Sequence, residues 1–403
     1  MIKIGLIGKT NTGKTTFFNA ATLASGEISN YPFTTKHPST GNAQAITICV
    51  HKEFDVQDNP KNSRCMDGWR YIPIELIDLP GLIKGAWQGK GLGNQFLTVA
   101  AQSDALIHVV DVSGGIDVTG KVTEQGTGDP VADVGDIEEE LAMWYLKLLE
   151  GNRDKISRSI NAGVDIIMAI TDVLRGVGVR DEHVKVALKK NSMMEGKFDE
   201  FDSQKIKDFL RSLRYISKPT LILANKIDLP SAADNFKRLR DKYKDVLVIP
   251  SSADAELTLR RAESRGLIRY NPGDERFEIV HQEHLNDKQK WALNFIRQDI
   301  LGEYLRTGVQ FAINVAVFKL LSMNTVYPVA DIKKLSDKHG NILPDVYLME
   351  SGSSIEDLAK TIHTELARGI LFAIDARDGL HLPRNYILKD RDILSIVSAK
   401  KRK

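Results

Sequence analysis

The most constraining feature of this chain is the segment Gly-Lys-Thr-Asn-Thr-Gly-Lys-Thr at residues 8–15, which directly follows an apolar run at residues 2–7. It fits the pattern G-x-x-x-x-G-K-[ST], in which a strand leads into a loop whose backbone N–H groups surround phosphate oxygens. The lysine reaches the β- and γ-phosphates, and the last hydroxyl can bind Mg²⁺. The residues that we assign to phosphate binding are Gly8, Asn11, Thr12, Gly13, Lys14, Thr15 and Thr16.

Two further motifs follow strand-like runs. Asp-Leu-Pro-Gly occupies residues 78–81, and Asn-Lys-Ile-Asp occupies residues 225–228. Each of them alone would be a weak signal, but the three motifs come in the order that guanine-nucleotide switch proteins use, and each stands at a strand end. The sequence therefore predicts a slow GTP hydrolase with GTP or GDP and Mg²⁺ as its ligands.

Three side chains are candidates for the Mg²⁺ site: Thr15, Asp78 and Thr35. Asp78 can hold the ion through water. Thr35 ends the segment Tyr-Pro-Phe-Thr-Thr at residues 31–35, where a threonine can order a first switch around a triphosphate. A plain turn stabilised by the threonine hydroxyl is the alternative interpretation of this segment.

The second motif also predicts a mobile switch. The Gly81 N–H can meet the γ-phosphate, and residues 81–93 contain five glycines. A flexible surface loop is the alternative, but a glycine-rich segment directly after a γ-phosphate contact favours a switch that moves when the phosphate is lost.

The third motif predicts recognition of guanine. Asp228 can accept hydrogen bonds from guanine N1–H and N2–H₂, a donor pair that adenine lacks. Asn225 would brace the loop, and the stem of Lys226 would cover the face of the base. Ser252 and Ala253, which follow the next strand, would offer backbone N–H groups to guanine O6.

Position 82 bears on the mechanism of hydrolysis. Ras-like switches place a glutamine directly after D-x-x-G to orient water, whereas this chain has Leu82, so intrinsic hydrolysis should be slow. Asn11 could help to hold K⁺ near the β- and γ-phosphates, or it could only brace the loop. The residues predicted to act in hydrolysis are Lys14, Thr35, Gly81 and Asn11.

Composition excludes several classes of protein. The net charge of +2 in 403 residues is too small to attract nucleic acid by overall electrostatics. The one basic cluster, at residues 400–403, is either a solvated tail or a weak phosphate-binding site. No run approaches a membrane span, and the N-terminus lacks a signal-peptide pattern, so we expect a cytoplasmic protein. We also expect it to be a monomer. Cys49 and Cys65, the only two cysteines, lack metal-ligand spacing, and His281 and His284 are interpreted as surface residues.

The alternation of strands and helices predicts an α/β fold, a doubly wound P-loop GTPase sheet with a helical insertion. We expect the first part of this domain at residues 1–119, the insertion at 120–217, and the second part at 218–275. A helical connector should follow at 276–325, and a small α+β domain at 326–403.

Individual elements are predicted from hydrophobic periodicity. Strands are expected at residues 3–7, 46–50, 72–77, 105–112, 220–224, 246–249, 326–329, 346–349, 371–374 and 393–397. Helices are expected at residues 14–24, 155–175, 181–190, 203–214, 287–306 and 309–323. Another helix has one face made by Ile137, Leu141, Trp144 and Leu148, and a last one begins at a capping box of Ser353 and Glu356.

With these motifs in place, the chain resembles the Obg/YchF superfamily of translation-associated GTPases, and most closely its archaeal YchF-like branch. The segments at residues 31–35 and 78–97 are specific to it. The C-terminal sequence resembles a TGS domain, a ubiquitin-like β-grasp module, at residues 326–329, 337–349 and 373–377. The resemblance covers nearly the whole chain and is least distinctive in the helical insertion.

This resemblance implies further properties. Thr35 would be the switch threonine, and the apolar Leu82 would be a trait of the family. Partners would be ribosomes, ribosomal subunits or RNA, reached through the TGS-like domain. Many YchF proteins lack the aspartate of the base-reading motif and use ATP, so Asp228 favours GTP. A nucleotide-gated binding module with incidental hydrolysis and an ATPase are the alternative functions.

Overall fold

The structure is a computed structural model that describes residues 1–23, 28–29, 38–82, 85–88, 93–194 and 198–399. The segment 31–35 with Thr35, part of the glycine-rich loop at residues 89–92, and the basic residues 400–403 lie outside the described residues. The chain divides into two compact units. The large unit comprises residues 3–42 and 75–312, and the small unit comprises residues 1–2, 43–74 and 313–403.

A mainly parallel sheet organises the large unit, and parts of its strands, including all of the strand at residues 64–66, belong to the small unit. The strands are β1 (Lys3–Ile7), β2 (Ile28–Ser29), β3 (Ser39–Ile48), β4 (Arg64–Met66), β5 (Trp69–Asp78), β6 (Ala105–Asp111), β7 (Thr220–Asn225) and β8 (Val248–Ser251). Their order is β2-β3-β5-β1-β6-β7-β8, with β4 paired to β5. The pairs from β5 to β8 are parallel, so their carboxyl ends share one edge, where ligands bind in such sheets.

Burial explains the continuous apolar strands. Every residue of β6 and β7 is buried, as expected for parallel strands covered on both faces. The helices that cover the sheet include α1 (Lys14–Thr22), α2 (Gly93–Gln102), α8 (Ala232–Lys242) and α9 (Ala253–Ser264). The predicted α/β class with a doubly wound sheet is confirmed.

The segment between β6 and β7 is helical, as predicted. It contains α3 (Pro130–Glu150), α4 (Arg153–Asn161), α5 (Ile166–Leu174), α6 (Asp181–Lys190) and α7 (Ser203–Ser217). Asp129 caps α3 and Pro130 occupies its first turn, a favourable start for a helix. The predicted face of α3 is buried at Ile137, Leu141 and Trp144.

One prediction in this segment was wrong, because residues 155–175 do not form a single helix. Gly163, with a φ of 88°, ends the first helical run, and Asp165 then caps α5 by accepting a hydrogen bond from Ile167 N–H. Among the described residues, no helix is both long and apolar enough to cross a membrane.

The two helices predicted near residue 300 are interrupted by π-helical turns. α10 (Asp287–Phe295) passes into a π segment, Ile296–Leu301, and then into α11 (Gly302–Tyr304), where Leu305 with a φ of 64° ends the run. α12 (Val309–Asn314) passes into a second π segment, Val315–Leu320. The helix predicted to reach residue 323 is therefore too long, since that residue already begins a strand.

The C-terminal part of the small unit is a mixed sheet with a helix on one face. The short strands β9 (Ile268–Arg269) and β10 (Glu278–Ile279) pair with each other in the large unit. The elements of the C-terminal part are β11 (Met323–Pro328), β12 (Tyr347–Glu350), α13 (Ile355–Ile362), α14 (Thr364–Gly369), β13 (Ile370–Asp375), β14 (His381–Pro383) and β15 (Asp392–Ser398). The strand order is β12-β11-β15-β13-β14, with β11 and β15 parallel. Leu358 and Ala359 of α13 pack against Val326 and Leu394, which gives the predicted β-grasp arrangement.

The capping box of α13 lies one residue later than predicted. Ser354 and Asp357 form it, with the Ser354 side chain accepting from Asp357 N–H and the Asp357 side chain accepting from Ser354 N–H. Serine and an acidic residue stand three apart in both registers, so spacing alone could not choose between them.

The small unit also contains an early part of the chain, which we call the docking segment, residues 49–66. Within this unit, Asn59 and Lys61 donate their N–H groups to the carbonyls of Ile342 and Pro344, at 2.8 and 2.7 Å. These bonds fasten the docking segment to the loop before β12.

Candidate nucleotide-binding site

The phosphate-binding loop has a backbone that requires its glycines. Gly8 has a φ of 144° and Gly13 a φ of 99°, and α1 starts directly after Gly13. A Cβ at Gly8 would collide with the carbonyl oxygen of Val109, and one at Gly13 would collide with the side-chain amide of Asn225. Asn11 also has a positive φ, of 61°. The loop is thus held in the conformation that the motif predicts.

Lys14 lies inside this loop. Its side chain is buried, and Nζ donates a hydrogen bond to the Lys9 carbonyl at 2.5 Å. Burial lowers the pKa of Lys14 to about 8, against a smaller opposing effect of Asp78. A phosphate would offer this desolvated ammonium a stronger partner than a carbonyl, because charge-assisted hydrogen bonds are the stronger kind.

Thr15 and Asp78 form the part of the site suited to a cation. Thr15 Oγ1 donates to Asp78 Oδ2 at 2.7 Å, and Asp78 Oδ1 is buried without a hydrogen-bond partner among the described residues. Burial raises the pKa of Asp78, although the Thr15 hydroxyl and the Lys14 charge oppose that shift. An unpartnered carboxylate oxygen beside a hydroxyl fits Mg²⁺, which prefers oxygen ligands.

The Asp-Leu-Pro-Gly motif packs directly on the phosphate loop. A Cβ at Gly81 would overlap the backbone of Thr10, and Leu82 N–H donates to the Gly8 carbonyl at 3.1 Å. The Leu82 side chain is buried in the apolar cluster that includes Ile7 and Trp144. Leu82 is therefore part of the core and cannot orient a water molecule.

Asn11 takes a bracing position in this structure. Its Nδ2 donates to the Gly120 carbonyl at 2.9 Å, and Thr10 Oγ1 donates to the same carbonyl at 2.9 Å. Gly120 has a φ of 80° in the loop after β6, and no local pattern indicated that this loop covers the phosphate loop.

Asn225 connects the phosphate loop to the base-reading loops. Its Nδ2 donates to the Thr12 carbonyl at 2.9 Å, and its Oδ1 accepts from Ala253 N–H at 3.1 Å. Lys226, with a φ of 63°, donates from Nζ to the buried Asp111 at 2.6 Å. These two bonds of Asn225 bring distant parts of the chain together, as the predicted brace should.

Asp228 stands at the same edge of the sheet. It is half-buried. Burial raises the pKa of Tyr304 to about 12, and the negative charges of Glu303 and Asp228 add to that shift. Tyr304 therefore belongs to the surroundings of Asp228, although no motif indicated it.

The two N–H groups predicted to face guanine O6 have acceptors within the protein. Ser252 N–H donates to the Thr307 carbonyl at 2.9 Å, and Ala253 N–H donates to Asn225. Guanine O6 would compete with Asn225 Oδ1 for the Ala253 N–H. The Ser252 hydroxyl instead caps α9, by accepting from Ala255 N–H at 3.2 Å.

Sequence reasoning missed the groups that support these loops. Lys9 forms ion pairs with Asp133 at 2.7 Å and Asp136 at 2.8 Å, both on α3. Burial opposes the charge of Lys9, but its hydrogen bonds to the two carboxylates outweigh that effect and raise its pKa. More than 120 residues separate the partners, so only the fold could bring them together.

A second group of buried residues supports the backbone at residues 251–253. Thr307 and Tyr270 both donate a hydrogen bond to the buried carboxylate of Glu256, the latter at 2.7 Å. A Cβ at Gly308 would collide with the backbone of residues 250–251. The side of the site that is predicted to read the base therefore rests on a buried polar network of α9 and its neighbours.

A loop of this conformation lies between β1 and α1, and the motifs at residues 78–81 and 225–228 lie at the ends of neighbouring strands. This arrangement defines a P-loop nucleotide-binding protein. Family models agree along the chain: a model described as 50S ribosome-binding GTPase matches residues 3–141, the G4 motif-containing domain of Obg-like GTPases of the YGR210-like type matches residues 223–331, and the TGS domain matches residues 335–398.

Relatives match over most or all of their length. A protein from Methanocaldococcus jannaschii named as a GTP-binding protein is 44% identical over 100% of both chains. A protein from Haemophilus ducreyi named as the ribosome-binding ATPase YchF is 30% identical, over 92% of this chain and 87% of its own. The chain belongs to the Obg/YchF superfamily of GTPases, in the archaeal YchF-like branch, and carries a C-terminal TGS domain.

Solved structures agree with this assignment. A GTP-binding protein from Pyrococcus horikoshii has 34% identity and a TM-score of 0.78, with 99% of this chain and 100% of that chain covered. The YchF GTPase of Schizosaccharomyces pombe, at 19% identity and a TM-score of 0.54, shares the fold.

Proposed function

We propose that this protein binds GTP and GDP with Mg²⁺, hydrolyses GTP, and acts as a nucleotide-dependent switch on ribosomes in the cytoplasm. The observation that carries the proposal is the glycine-lined loop around the buried Lys14, next to the Thr15–Asp78 hydrogen bond. Phosphates would lie along residues 8–16, and guanine would meet Asp228 and the segment Ser252–Ala253. Comparing GTP turnover with and without ribosomal subunits tests the proposal; rates that subunits leave unchanged would contradict its ribosomal part.

Each group then has a role in hydrolysis. Mg²⁺, held by Thr15, Asp78 and Thr35, would neutralise charge on the phosphates. Lys14 would stabilise the charge that develops on the transferred phosphoryl group, and the Gly81 N–H would sense the γ-phosphate. Because Leu82 is buried in the core, no group at that position positions the water, and turnover without a helper should be slow.

We expect K⁺ to accelerate GTP turnover relative to Na⁺, and Asn11→Ala to remove that difference. The reason is that the Asn11 side-chain oxygen is available to a cation near the phosphates while its nitrogen donates to Gly120. Turnover of the full chain, measured with matched concentrations of KCl and NaCl, reads out the effect.

Thr10→Val is the matched control for the Asn11 prediction, because Thr10 donates to the same carbonyl but would not bind the cation. It should retain the preference for K⁺. If Asn11→Ala and Thr10→Val change the rate alike in both salts, Asn11 has only a bracing role and the K⁺ proposal fails.

ATP hydrolysis is the second candidate, since the Haemophilus ducreyi relative is named as an ATPase. Asp228 argues against it, because adenine has no donor pair for this carboxylate. A competition assay with GTP and ATP separates the two. A binding module with incidental hydrolysis is a further alternative, and it predicts turnover that ribosomal subunits do not stimulate.

We place the ribosome contact on the TGS domain. Its loop after β11 carries exposed lysines that can contact RNA phosphates. These lysines are Lys333, Lys334 and Lys338. Deleting the domain would be a poor test, because the buried Arg70 donates to the Leu343 carbonyl at 2.5 Å and would lose that partner.

Charge reversal is the sharper experiment. Changing Lys333, Lys334 and Lys338 together to glutamate should reduce co-sedimentation with ribosomal subunits in the GTP state by about tenfold or more, if each lost phosphate contact contributes as in nucleic-acid binding. The matched control changes three exposed lysines of α6, in the helical insertion: Lys185, Lys189 and Lys190. A loss of binding in the control alone would move the contact to the insertion.

A further inference from the structure

Four potential metal ligands meet in the docking segment of the small unit. The ligand atoms of Cys49, His51, Asp58 and Cys65 all lie within 4.8 Å of one another. Cys49 Sγ is 3.3 Å from Asp58 Oδ2, and Cys65 Sγ is 3.4 Å from His51 Nδ1. His51 Nδ1 is also 3.4 Å from Asp58 Oδ2. The two cysteines lack metal-ligand spacing in the sequence, but the fold brings them together with a histidine and an aspartate.

The positions of the four residues along the chain explain why the sequence did not indicate this cluster. Cys49 follows β3, His51 lies in a short 3₁₀ turn, Asp58 lies in the loop beyond it, and Cys65 lies in β4. The spacing C-x-H-x₆-D-x₆-C contains no close cysteine pair, which is the usual mark of a zinc site in sequence. The fold brings these side chains together because the docking segment turns back on itself.

We propose that Cys49, His51, Asp58 and Cys65 bind one Zn²⁺ ion. Two thiolates, an imidazole and a carboxylate are a complete tetrahedral ligand set for zinc. With bonds of about 2.0–2.3 Å, the ligand atoms of such a tetrahedron lie roughly 3.3–3.8 Å apart. The three measured separations, at 3.3–3.4 Å, already fall at the short end of that range.

Arg70 supplies the outer shell of this site. Arg70 Nη1 donates to Asp58 Oδ2 at 2.8 Å, and the arginine side chain is fully buried. Such a bond orients a ligating carboxylate, as outer-shell partners of metal ligands do. The charges balance, because Zn²⁺ and one guanidinium carry three positive charges against two thiolates and one carboxylate. A neutral cluster is what a buried site requires.

A closed set of four protein ligands points to a structural role. The ligands are spread along the docking segment from Cys49 to Cys65. Asn59 and Lys61, which lie between the last two ligands, make the hydrogen bonds to Ile342 and Pro344. Zinc would therefore hold the segment in the conformation that fastens to the loop before β12.

Metal content and Co²⁺ substitution test the site in the full chain. The purified protein should contain about one Zn²⁺, and Co²⁺ exchanged into it should show thiolate-to-cobalt charge-transfer absorption. The chain has only two cysteines, so that absorption can come only from this cluster. Cys65→Ser should abolish the charge-transfer band of its thiolate and lower zinc affinity by at least about tenfold, the smallest loss typical of changes around a metal.

The exposed cluster His281, Glu283 and His284 gives the matched control. A variant with His281→Ala and His284→Ala should keep its zinc and its cobalt spectrum. GTP binding, which uses none of these residues, checks that each variant is folded. Unmetallated free thiols in the presence of excess Zn²⁺, a Cys49–Cys65 disulfide in the purified protein, or metal lost only from the histidine control would each overturn the proposal.

Discussion

Asp228→Ala is expected to lower the affinity for GTP and GDP by at least about 10²-fold. Two hydrogen bonds to a charged acceptor at roughly 1.5–3 kcal/mol each sum to about 3–6 kcal/mol, or roughly 10²- to 10⁴-fold in affinity. The half-buried position of Asp228 favours the lower part of that range, because solvent weakens the bonds. Titration calorimetry with GDP measures the loss directly.

Two companion variants make the Asp228 prediction specific. Asp228→Asn should shift preference toward xanthine nucleotides, because xanthine replaces the guanine 2-amino donor with an oxygen acceptor that an amide N–H₂ can meet. Asp234→Ala, which removes an exposed carboxylate in the first turn of α8, should leave affinity unchanged. Equal binding of GTP and ATP by the unmodified protein would contradict the proposed role of Asp228.

Gly13→Ala is expected to lower nucleotide affinity by about 10³-fold. The φ of 99° at Gly13 strains any residue with a Cβ, by about 1–3 kcal/mol. The new methyl group would also displace the Asn225 amide, which bonds to Thr12 and Ala253. Two lost hydrogen bonds at about 1 kcal/mol each bring the total near 4 kcal/mol.

Gly126→Ala separates strain from collision. Gly126 also has a positive φ, of 82°, but a Cβ there would meet nothing within 4 Å. We expect Gly126→Ala to reduce stability modestly and to leave GDP affinity within about threefold, because residue 126 lies outside the phosphate loop and its strain does not act on the phosphates. Should both variants bind GDP as the unmodified protein does, Asn225 would not be the brace inferred from its contacts.

Local chemistry explains why the conformation of the loop at residues 8–15 was predictable. The residues at 8–15 specify a loop by themselves, because two glycines and a lysine act within one turn of backbone. Similarly, β6 and β7 are recognisable because their burial on both faces demands continuous apolar residues. The family and the β-grasp arrangement were likewise predicted from short sequence motifs.

Competition between nearly equal local choices explains the errors at element boundaries. Ser353 with Glu356 and Ser354 with Asp357 have the same spacing, and tertiary packing of α13 selected the second pair. The π-helical segment Ile296–Leu301 keeps the helical course but changes its periodicity, which no pattern of apolar residues revealed.

The sequence alone determined the strand–loop–helix segment at residues 3–22, the order of the three motifs, and the superfamily, because each depends on residues that are neighbours in the chain. Tertiary structure alone decided the partners of Lys9 on α3, the choice of the Thr12 carbonyl as the acceptor of the Asn225 amide, and the cluster that joins Cys49 to Cys65. The physical reason is distance along the chain. Side chains separated by many residues meet only when the packing of sheets and helices brings their loops together. The hydrophobic periodicity of a single sequence does not indicate such contacts.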